Sequence, residues 1–364
     1  MRLTQIRTPL LGVAAVAVLA LSAACNSAAD QASSSGGGGG GGEASGKVAF
    51  LMPDQASTRY ELFDAPLFKA KMTELCAKCE VLYSNANADA SKQQQQAESA
   101  LTQGVKVLVI DPVDSASAAS IVQQAQARGV KVITYDRPVP NKKADYYISF
   151  DNEKIGAQVA QSLVDDLKKS GAKGGVLQVN GSPTDAAAGL IKKGMHSVLD
   201  PSGIKILAEY DTPDWDPTKA QNWVSGQITK FGPQIAGVSA ANDGTGGGSI
   251  AAFKAAGVKP VPPVTGNDAT LQAAQSIING DQYMTISKPI KTVADAAATT
   301  AYSFLKGETP APKTTLFDTP SELFTPTVVT KANVFAQIIK NGPLKAADVC
   351  KGAFAPACAS AGIQ

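Results

Sequence analysis

The sequence predicts an α/β protein in which parallel sheets are covered by helices on both faces. Short runs of β-branched residues, such as residues 105–110, alternate with longer Ala-, Gln- and Lys-rich segments of helical period, such as residues 152–169. The strand runs are apolar throughout, which is typical of parallel strands that are buried on both faces. Polar residues follow many of these runs, which predicts a binding cleft at one edge of the sheets.

The alternation gives an ordered set of expected elements. We expect strands at residues 48–52, 81–83, 105–110, 132–135, 147–149, 175–179, 204–210, 237–240, 263–265 and 284–287. Helices are expected between most of them, including residues 65–75, 92–103, 117–128, 152–169 and 271–279. Glycine follows several helical runs, as a C-terminal cap would, at Gly104, Gly129, Gly257 and Gly280.

The residues at the strand ends suggest what the cleft binds. Ligands of open α/β sheets bind outside the carboxyl ends of the strands. A sugar offers hydroxyl groups and an apolar face, which suit carboxylates, amides, arginines and aromatic rings. The sequence places all of these types near strand ends, at Arg59, Tyr60, Asp136, Arg137, Asp185, Trp215, Asn242, Asp268 and Lys288.

Residues 1–24 have the features of a lipoprotein signal peptide and are left out of the fold prediction. Arg2 and Arg7 give a positive start, and the apolar stretch that follows is too short for a stable membrane span. The small residues before Cys25 resemble the bacterial lipobox, whose cysteine is lipidated after cleavage. Ser22 departs from the leucine that this pattern prefers, so an ordinary secretory signal cleaved after an alanine is the alternative.

Residues 25–46 are rich in Gly, Ser, Ala and Gln, including a run of glycines over residues 36–42. Such a segment buries too little apolar surface to offset its ordering entropy, which predicts a flexible tether. A tether that follows a lipidated Cys25 indicates an extracytoplasmic protein held at the outer face of the cell membrane by its lipid anchor. The rest of the chain is long enough for two lobes.

The charge balance does not indicate a nucleic-acid partner, and we expect none. The chain has 33 basic and 31 acidic residues, and removing Arg2 and Arg7 with the signal peptide leaves 31 of each. No cluster of Lys and Arg forms the basic stripe that nucleic-acid-binding proteins need.

The four cysteines beyond Cys25 form two local pairs, Cys76 with Cys79 and Cys350 with Cys358. An even number in an exported protein predicts disulfides. The alternative for the first pair is a zinc or redox motif. Zinc needs two more ligands, and the one histidine, His196, is far away in the sequence. We therefore predict two disulfides, no metal site and no cofactor.

Seven ordered segments carry a family resemblance: residues 58–60 (TRY), 135–137 (YDR), 148–155 (ISFDNEKI), 181–185 (GSPTD), 242–247 (NDGTGG), 265–268 (TGND) and 281–289 (DQYMTISKP). In these segments the chain resembles the ribose- and galactose-type periplasmic sugar-binding proteins of ABC importers, and in particular the D-xylose-binding proteins. The resemblance extends over residues 47–330.

This resemblance implies the periplasmic-binding-protein type I fold, with two doubly wound parallel-sheet lobes joined by a three-segment hinge. Lobe one would take residues 47–152 and 289–324, and lobe two residues 153–288 and 325–364. The implied function is capture of a monosaccharide, xylose or a related pentose or hexose, by hinge closure. The chain would deliver this sugar to an ABC permease, and we expect it to act as a monomer.

The resemblance also implies a role for each site residue. Sugar hydroxyls would be held from lobe one by Arg59, Asp136 and Arg137, and from lobe two or the hinge by Asp185, Asn242, Asp268 and Lys288. The ring faces would stack on Tyr60 and Trp215. Four positions differ from what the xylose binders usually carry and leave the identity of the sugar open: Tyr60, Ala186, Ala187 and Asn267.

An enzyme and a sugar sensor are the two rival functions. An enzyme is disfavoured, because His196 has no G-x-S-x-G partner and the glycines of residues 244–248 lack the Lys-Ser/Thr of a phosphate-binding loop. A sugar sensor of the same fold, which presents its ligand to a membrane receptor or kinase, stays open as the alternative. Neighbouring genes for a permease and an ATPase would distinguish transport from sensing.

Overall fold

A computed structural model describes residues 45–363 of the chain. The predicted signal peptide, Cys25 and the tether as far as residue 44 lie outside the described residues. The predicted end of the tether is wrong, because Gly46 already pairs with Cys79 as the first residue of a strand.

The described residues form alternating strands and helices. The strands are β1 (Gly46–Met52), β2 (Cys79–Asn85), β3 (Val107–Ile110), β4 (Lys131–Tyr135), β5 (Tyr146–Phe150), β6 (Gly175–Asn180), β7 (Ile206–Asp211), β8 (Ile235–Ala240), β9 (Met284–Ser287), β10 (Thr314–Leu316), β11 (Thr319–Phe324) and β12 (Thr327–Thr330). The α-helices are α1 (Ala65–Leu75), α2 (Ala90–Thr102), α3 (Ala118–Ala127), α4 (Asn152–Ser170), α5 (Ala186–Leu199), α6 (Pro217–Phe231), α7 (Asp243–Ala255), α8 (Leu271–Asn279), α9 (Ile290–Leu305), α10 (Ala346–Val349) and α11 (Ala355–Ser360).

A seven-stranded sheet in the order β10-β11-β5-β4-β3-β1-β2 organises the first group of elements, which we call lobe one. All neighbouring strands are parallel except β10 and β11. Along β1, Val48 and Phe50 pack into one apolar cluster, whereas Ala49 and Leu51 pack into another. Because alternate side chains point to opposite faces, this central strand is buried on both sides, as its unbroken apolar run predicts.

The second group of elements, which we call lobe two, contains a parallel sheet in the order β7-β6-β8 and an antiparallel pair of β9 with β12. The chain passes between the lobes three times, at residue 151, at residues 288–289 and at residues 325–326. The prediction of two α/β lobes with parallel sheets and a three-segment connection is confirmed.

Two differences from the predicted elements have a physical reason. Residues 263–265 were predicted as a strand, but only Val264 makes a single bridge, to Val238 of β8. Pro262 and Pro263 lack the N–H groups that a continuous ladder requires. The short strands β10 to β12 were not predicted, because their Thr-rich sequence lacks the long apolar run of a buried strand.

Cysteine side chains are joined at both predicted pairs, Cys76 with Cys79 and Cys350 with Cys358. The first bridge connects the end of α1 to the start of β2, which is the edge strand of the large sheet. Within residues 45–363 no group of histidine, cysteine and acidic side chains is arranged to hold a metal ion, and no helix has the length and apolar character to cross a membrane.

We predict that both bridges are oxidised in exported protein. Intact-mass measurement without reductant should give a mass lower by four hydrogen atoms than that of the reduced protein, because each bridge removes two. Four thiols that react with an alkylating reagent in correctly exported protein would contradict this prediction, and so would stoichiometric bound zinc.

Candidate functional site

A cavity lies where the carboxyl ends of strands from the two lobes face each other. All nine residues that the sequence predicts for the site line it, from position 59 to position 288: Arg59, Tyr60, Asp136, Arg137, Asp185, Trp215, Asn242, Asp268 and Lys288. Five further residues, which are not among the predicted site residues, also line the cavity: Ser57, Asn152, Ala187, Ile191 and Asn267. The strand-end pattern therefore predicted which side chains meet, while their contacts depend on the fold.

Arg59 is fixed by a buried carboxylate on the next helical turn. It precedes a π-helical segment, Tyr60–Asp64, that continues directly into α1. Its Nε and Nη2 atoms donate to the two carboxylate oxygens of Asp64 at 3.0 and 2.7 Å, and its Nη1 donates to Asp136 Oδ1 at 3.1 Å. Asp64 also accepts a hydrogen bond from the hydroxyl of Tyr135. Bidentate pairing sets the plane of the guanidinium, so Arg59 reaches Asp136 in a single orientation.

Asp136 follows β4 with a left-handed backbone, at φ 59°. Its carbonyl oxygen accepts from the hydroxyls of Tyr147 at 2.8 Å and Ser149 at 2.9 Å, which holds this uncommon conformation in place. The second carboxylate oxygen accepts from the Tyr60 hydroxyl at 3.1 Å. Two donors from the π-helical segment and its cap thus orient the Asp136 carboxylate towards the cavity.

Charge around Asp136 keeps it ionised. Burial alone raises the pKa of Asp136, but the positive charges of Arg59, Lys288 and Arg137 outweigh burial and hold the pKa below its usual value. The carbon atoms of the two guanidinium groups lie 5.3 Å (Arg59) and 5.9 Å (Arg137) from the centroid of the Tyr60 ring.

Arg137 joins the lobes. Within lobe one its Nη2 donates to Asp54 Oδ2 at 2.7 Å and its Nη1 donates to the Pro112 carbonyl at 3.2 Å. Its Nε lies 3.2 Å from Asp185 Oδ2, which belongs to lobe two, and 3.4 Å from Asp111 Oδ1. Neither oxygen of Asp111 has a hydrogen-bond partner among the described residues, and burial raises the pKa of this carboxyl well above its usual value despite Arg137.

Asp185 caps helix α5 and accepts a hydrogen bond from the indole of Trp215. Its Oδ1 accepts from the Ala187 amide at 2.7 Å, and its Oδ2 accepts from Trp215 Nε1 at 3.0 Å. Burial raises the pKa of Asp185, an effect that Arg137 opposes. The indole of Trp215 packs flat against the backbone of Gly181, where a Cβ atom would lie only 2.1 Å from the ring. Trp215 is thus positioned by one hydrogen bond and by the absence of a side chain at residue 181.

We predict that Gly181→Ala weakens ligand binding by about tenfold, because the new methyl group displaces the Trp215 indole from the cavity wall. Calorimetry against the best-binding sugar measures this. Gly189→Ala is the matched control, since a Cβ at this exposed position of α5 meets nothing within 4 Å. Equal affinities for wild type and Gly181→Ala would show that the position of the indole does not affect sugar binding.

Lobe two contributes a cap residue and a buried ion pair. Asn242 caps α7 through its side-chain oxygen, which accepts from the Thr245 amide at 2.8 Å, so its NH₂ group is the part that a ligand can use. Asp268 Oδ1 lies 2.7 Å from Lys288 Nζ, and both side chains are nearly buried. Lys288 stands at the second connection between the lobes, which places this ion pair beside the hinge.

Of the unassigned lining residues, two are polar and deeply buried. Asn152 donates to the hydroxyls of Tyr147 and Ser149, at 3.3 Å each, beneath Asp136. Asn267 is 2% exposed, and its side-chain oxygen has no hydrogen-bond partner within residues 45–363. Because Asn267 directly precedes Asp268 in the sequence, it could have been predicted as a site residue.

The rim of the cavity is closed by direct contacts between the lobes. The Ser115 amide donates to the Thr184 carbonyl at 2.9 Å, and the Ala186 amide donates to Ser115 Oγ at 3.0 Å. Thr184 and Ala186 are the sequence neighbours of Asp185, so both contacts lie beside the Arg137–Asp185 pair. The two lobes therefore meet along one side of the cavity as well as at the hinge.

Comparison with known proteins shows one consistent relationship. Residues 48–309 match the model of the periplasmic binding protein domain family. The D-xylose-binding periplasmic protein of Escherichia coli K12 is 36% identical over 81% of this chain and 90% of its own length. The multiple sugar-binding periplasmic receptor of Rhizobium radiobacter is 31% identical over 83% of this chain and 91% of its own.

Solved structures agree with these relatives. An ABC transporter solute-binding protein of Clostridium phytofermentans with bound β-D-glucose superposes with a TM-score of 0.76 at 27% identity, covering 83% of this chain and 99% of that one. A carbohydrate transporter solute-binding protein of Chloroflexus aurantiacus in complex with D-glucose gives 0.74 at 28% identity, covering 83% and 97%. The predicted type I fold is confirmed.

Proposed function

This chain belongs to the periplasmic sugar-binding proteins of ABC transporters, and we propose that it captures one monosaccharide, xylose or a related pentose or hexose, for delivery to a membrane permease. Its relatives are binding proteins, so the prediction that the chain is not an enzyme is confirmed. It is extracytoplasmic like them. The identity of the sugar, the delivery step and the lipid anchor are the parts that we propose.

The observation that carries the proposal is the pairing of charges on both sides of the cavity. Asp136 is paired with Arg59 on lobe one, and Asp268 is paired with Lys288 at the hinge, at 3.1 and 2.7 Å. A paired carboxylate and cation offer an acceptor and a donor side by side, which matches a hydroxyl group that donates and accepts. A charged ligand would disturb this balance, whereas a neutral polyhydroxylated ring would not.

Aromatic and amide groups complete the match to a sugar. Tyr60 and Trp215 supply apolar ring surface for the C–H face of a pyranose, and Asn242 and Asn267 supply amide groups. The side-chain oxygen of Asn267 is a buried acceptor, and a ligand hydroxyl would satisfy it. Ala187 leaves space where the xylose binders carry an amide, which favours a sugar with an additional substituent at that side.

We propose that binding closes the lobes around the sugar. Arg137 and Asp185 approach only when the lobes meet, and the contacts of Ser115 with lobe two form in the same movement. A ligand that binds the closed form more tightly shifts the equilibrium by that difference in affinity. The closed monomer would be the form that the permease recognises.

Thermal unfolding with a panel of pentoses, hexoses and disaccharides tests the function. A ligand at a hundred times its Kd stabilises the native state by about 2.7 kcal/mol, which raises the Tm by about 5 °C. We expect such a shift with D-xylose, D-glucose or a close relative, and none with lactose, because the proposed ligand is a single sugar ring. A panel in which no monosaccharide shifts the Tm would contradict the proposal.

Uptake measurements separate transport from sensing. Cells that lack this chain should lose uptake of the radiolabelled panel sugar at micromolar concentration, and a plasmid copy should restore it. Normal uptake together with a lost transcriptional or chemotactic response would favour the sensor alternative.

We further propose that the lipidated Cys25 anchors the protein at the outer face of the cell membrane. Cys25→Ser should release the protein from the membrane fraction or leave it unprocessed, because serine has no thiol to form the thioether bond with the lipid. Native protein that is found entirely in the aqueous fraction, with another residue at its N-terminus, would contradict lipidation.

A further inference from the structure

The loop that carries Asn267 and Asp268 into the cavity has a strained backbone. Asp268 has φ 106° and Ala269 has φ 51°, both in the region that residues other than glycine rarely adopt. Such conformations persist only where surrounding contacts impose them. Some group must therefore hold this segment, residues 266–270, which we call the binding loop.

Asp243 makes the contacts that hold both ends of the binding loop. Its backbone amide donates to the Asn267 carbonyl at 2.9 Å, and its Oδ2 accepts from the Thr270 amide at 2.8 Å. Its Oδ1 accepts from Thr285 Oγ1 at 2.7 Å and from Gln282 Nε2 at 3.0 Å, which ties the loop to β9. The carboxylate thus receives three donors, one from the binding loop and two from residues 282–285.

The fit of this carboxylate is tight. A Cβ atom on Gly266 would lie 2.2 Å from Asp243 Oδ1 and 2.5 Å from Gln282 Nε2, so the loop can start here only with glycine. Thr285 Oγ1 in turn accepts from the Ala269 amide at 3.2 Å, within the strained segment. Asp243 is 5% exposed and is not among the described residues that line the cavity, so it would act without touching the sugar.

We propose that Asp243 is the positioning residue that fixes the binding loop, and that its negative charge is needed to present Asp268 and Asn267 to the sugar. This inference rests on the proposed sugar-binding function. The ionised carboxylate accepts hydrogen bonds from all three donors. In a protonated carboxyl one oxygen carries a hydrogen atom, which faces a donor and cannot form the same hydrogen bond. The loop then loses an acceptor and the geometry of Asp268 relaxes.

The charge state of Asp243 changes near neutral pH. Burial, and then the negative charge of Asp268, raise the pKa of Asp243 to about 7, although the three donors oppose this rise. Lys288 faces the same region and is paired with Asp268. Lys254 forms an ion pair with Asp281, the residue that directly precedes Gln282 in the sequence. Because sugar binding needs the ionised form, the affinity should rise as the pH increases through 7.

The test is calorimetry from pH 6 to pH 8 with D-xylose or D-glucose, whichever gives the larger thermal stabilisation. Asp243→Asn keeps the shape but adds an NH₂ donor, so we expect at least a tenfold weaker affinity and loss of most of the pH dependence. Asp281→Asn is the matched control, because it removes a neighbouring carboxylate that does not contact the binding loop. It should keep the wild-type affinity and pH profile.

Wild-type affinity in Asp243→Asn, or a pH profile unchanged from wild type, would overturn the inference. If that variant does not fold, Thr285→Val removes one of the three donors and should still weaken binding severalfold. An unchanged affinity in the folded Thr285→Val protein would then overturn it. Failure of wild-type protein to bind either sugar would instead count against the proposed function.

Discussion

Replacing Arg137 with alanine should nearly abolish sugar binding and should also destabilise the folded protein. Arg137 is 4% exposed, and its guanidinium lies 2.7 Å from Asp54 and 3.2 Å from Asp185. Without it, these carboxylates remain buried without a counter-charge, which costs about 3–5 kcal/mol of folding free energy. Loss of the ligand donor and of the bridge between the lobes should cost about 2–5 kcal/mol of binding, or roughly 30- to 4000-fold in Kd.

Calorimetry and urea denaturation on the same preparation separate the two effects. Arg128→Ala is the control, since this arginine is exposed at the C-terminal end of α3 and should change neither quantity. Arg137→Lys should give an intermediate loss, because one ammonium group cannot reach Asp54, Asp185 and the Pro112 carbonyl together. Unchanged affinity in Arg137→Ala would move the sugar site elsewhere.

Replacing Asp268 with alanine should also weaken binding by about 2–5 kcal/mol. Lys288 Nζ lies 2.7 Å from Asp268 Oδ1 and is nearly buried, so the substitution removes a ligand acceptor and strands a cation. The ammonium group of Lys288 is then nearly buried without a counter-charge. The pair no longer offers a donor and an acceptor to one hydroxyl.

Asp295→Ala is the matched control for this substitution. Asp295 forms an exposed pair with Lys291 on α9, neither residue lines the cavity, and such pairs contribute little. Asp268→Ala with normal affinity and a normal melting temperature would show that the hinge ion pair is not part of the site. Normal affinity with reduced stability would limit Asp268 to a structural role.

The sequence predicted which side chains line the cavity because the decisive information is local. A buried parallel strand is recognised from a few consecutive apolar residues, and the residue that follows its carboxyl end must lie at one edge of the sheet. Asp136, Asn242 and Asp268 were found in this way, and all line the cavity. Strand boundaries were close for the same reason, and Met284–Ser287 was predicted to the residue.

The contacts within the site could not be predicted in this way. Asp185 is predicted to bind sugar hydroxyls, but the sequence does not show that its oxygens also accept from Ala187 and Trp215 or that it faces Arg137 across the cleft. These partners are 2, 30 and 48 positions away, and no periodic pattern encodes the last two distances. The ligand roles of the site residues remain predictions until the variants are measured.

The sequence by itself determined the fold class and the cleft, because hydrophobic period and strand-end polarity are properties of short segments. The family was indicated by the resemblance of seven short motifs, which are also local. Only the tertiary structure decided which charges face each other and which polar groups are buried. Asp243 shows the difference: in the sequence it is one acid beside the helix cap Asn242, and in the fold it lies buried beneath the binding loop. Desolvation and long-range pairing act only after the segments have packed, so they are decided by the assembled fold.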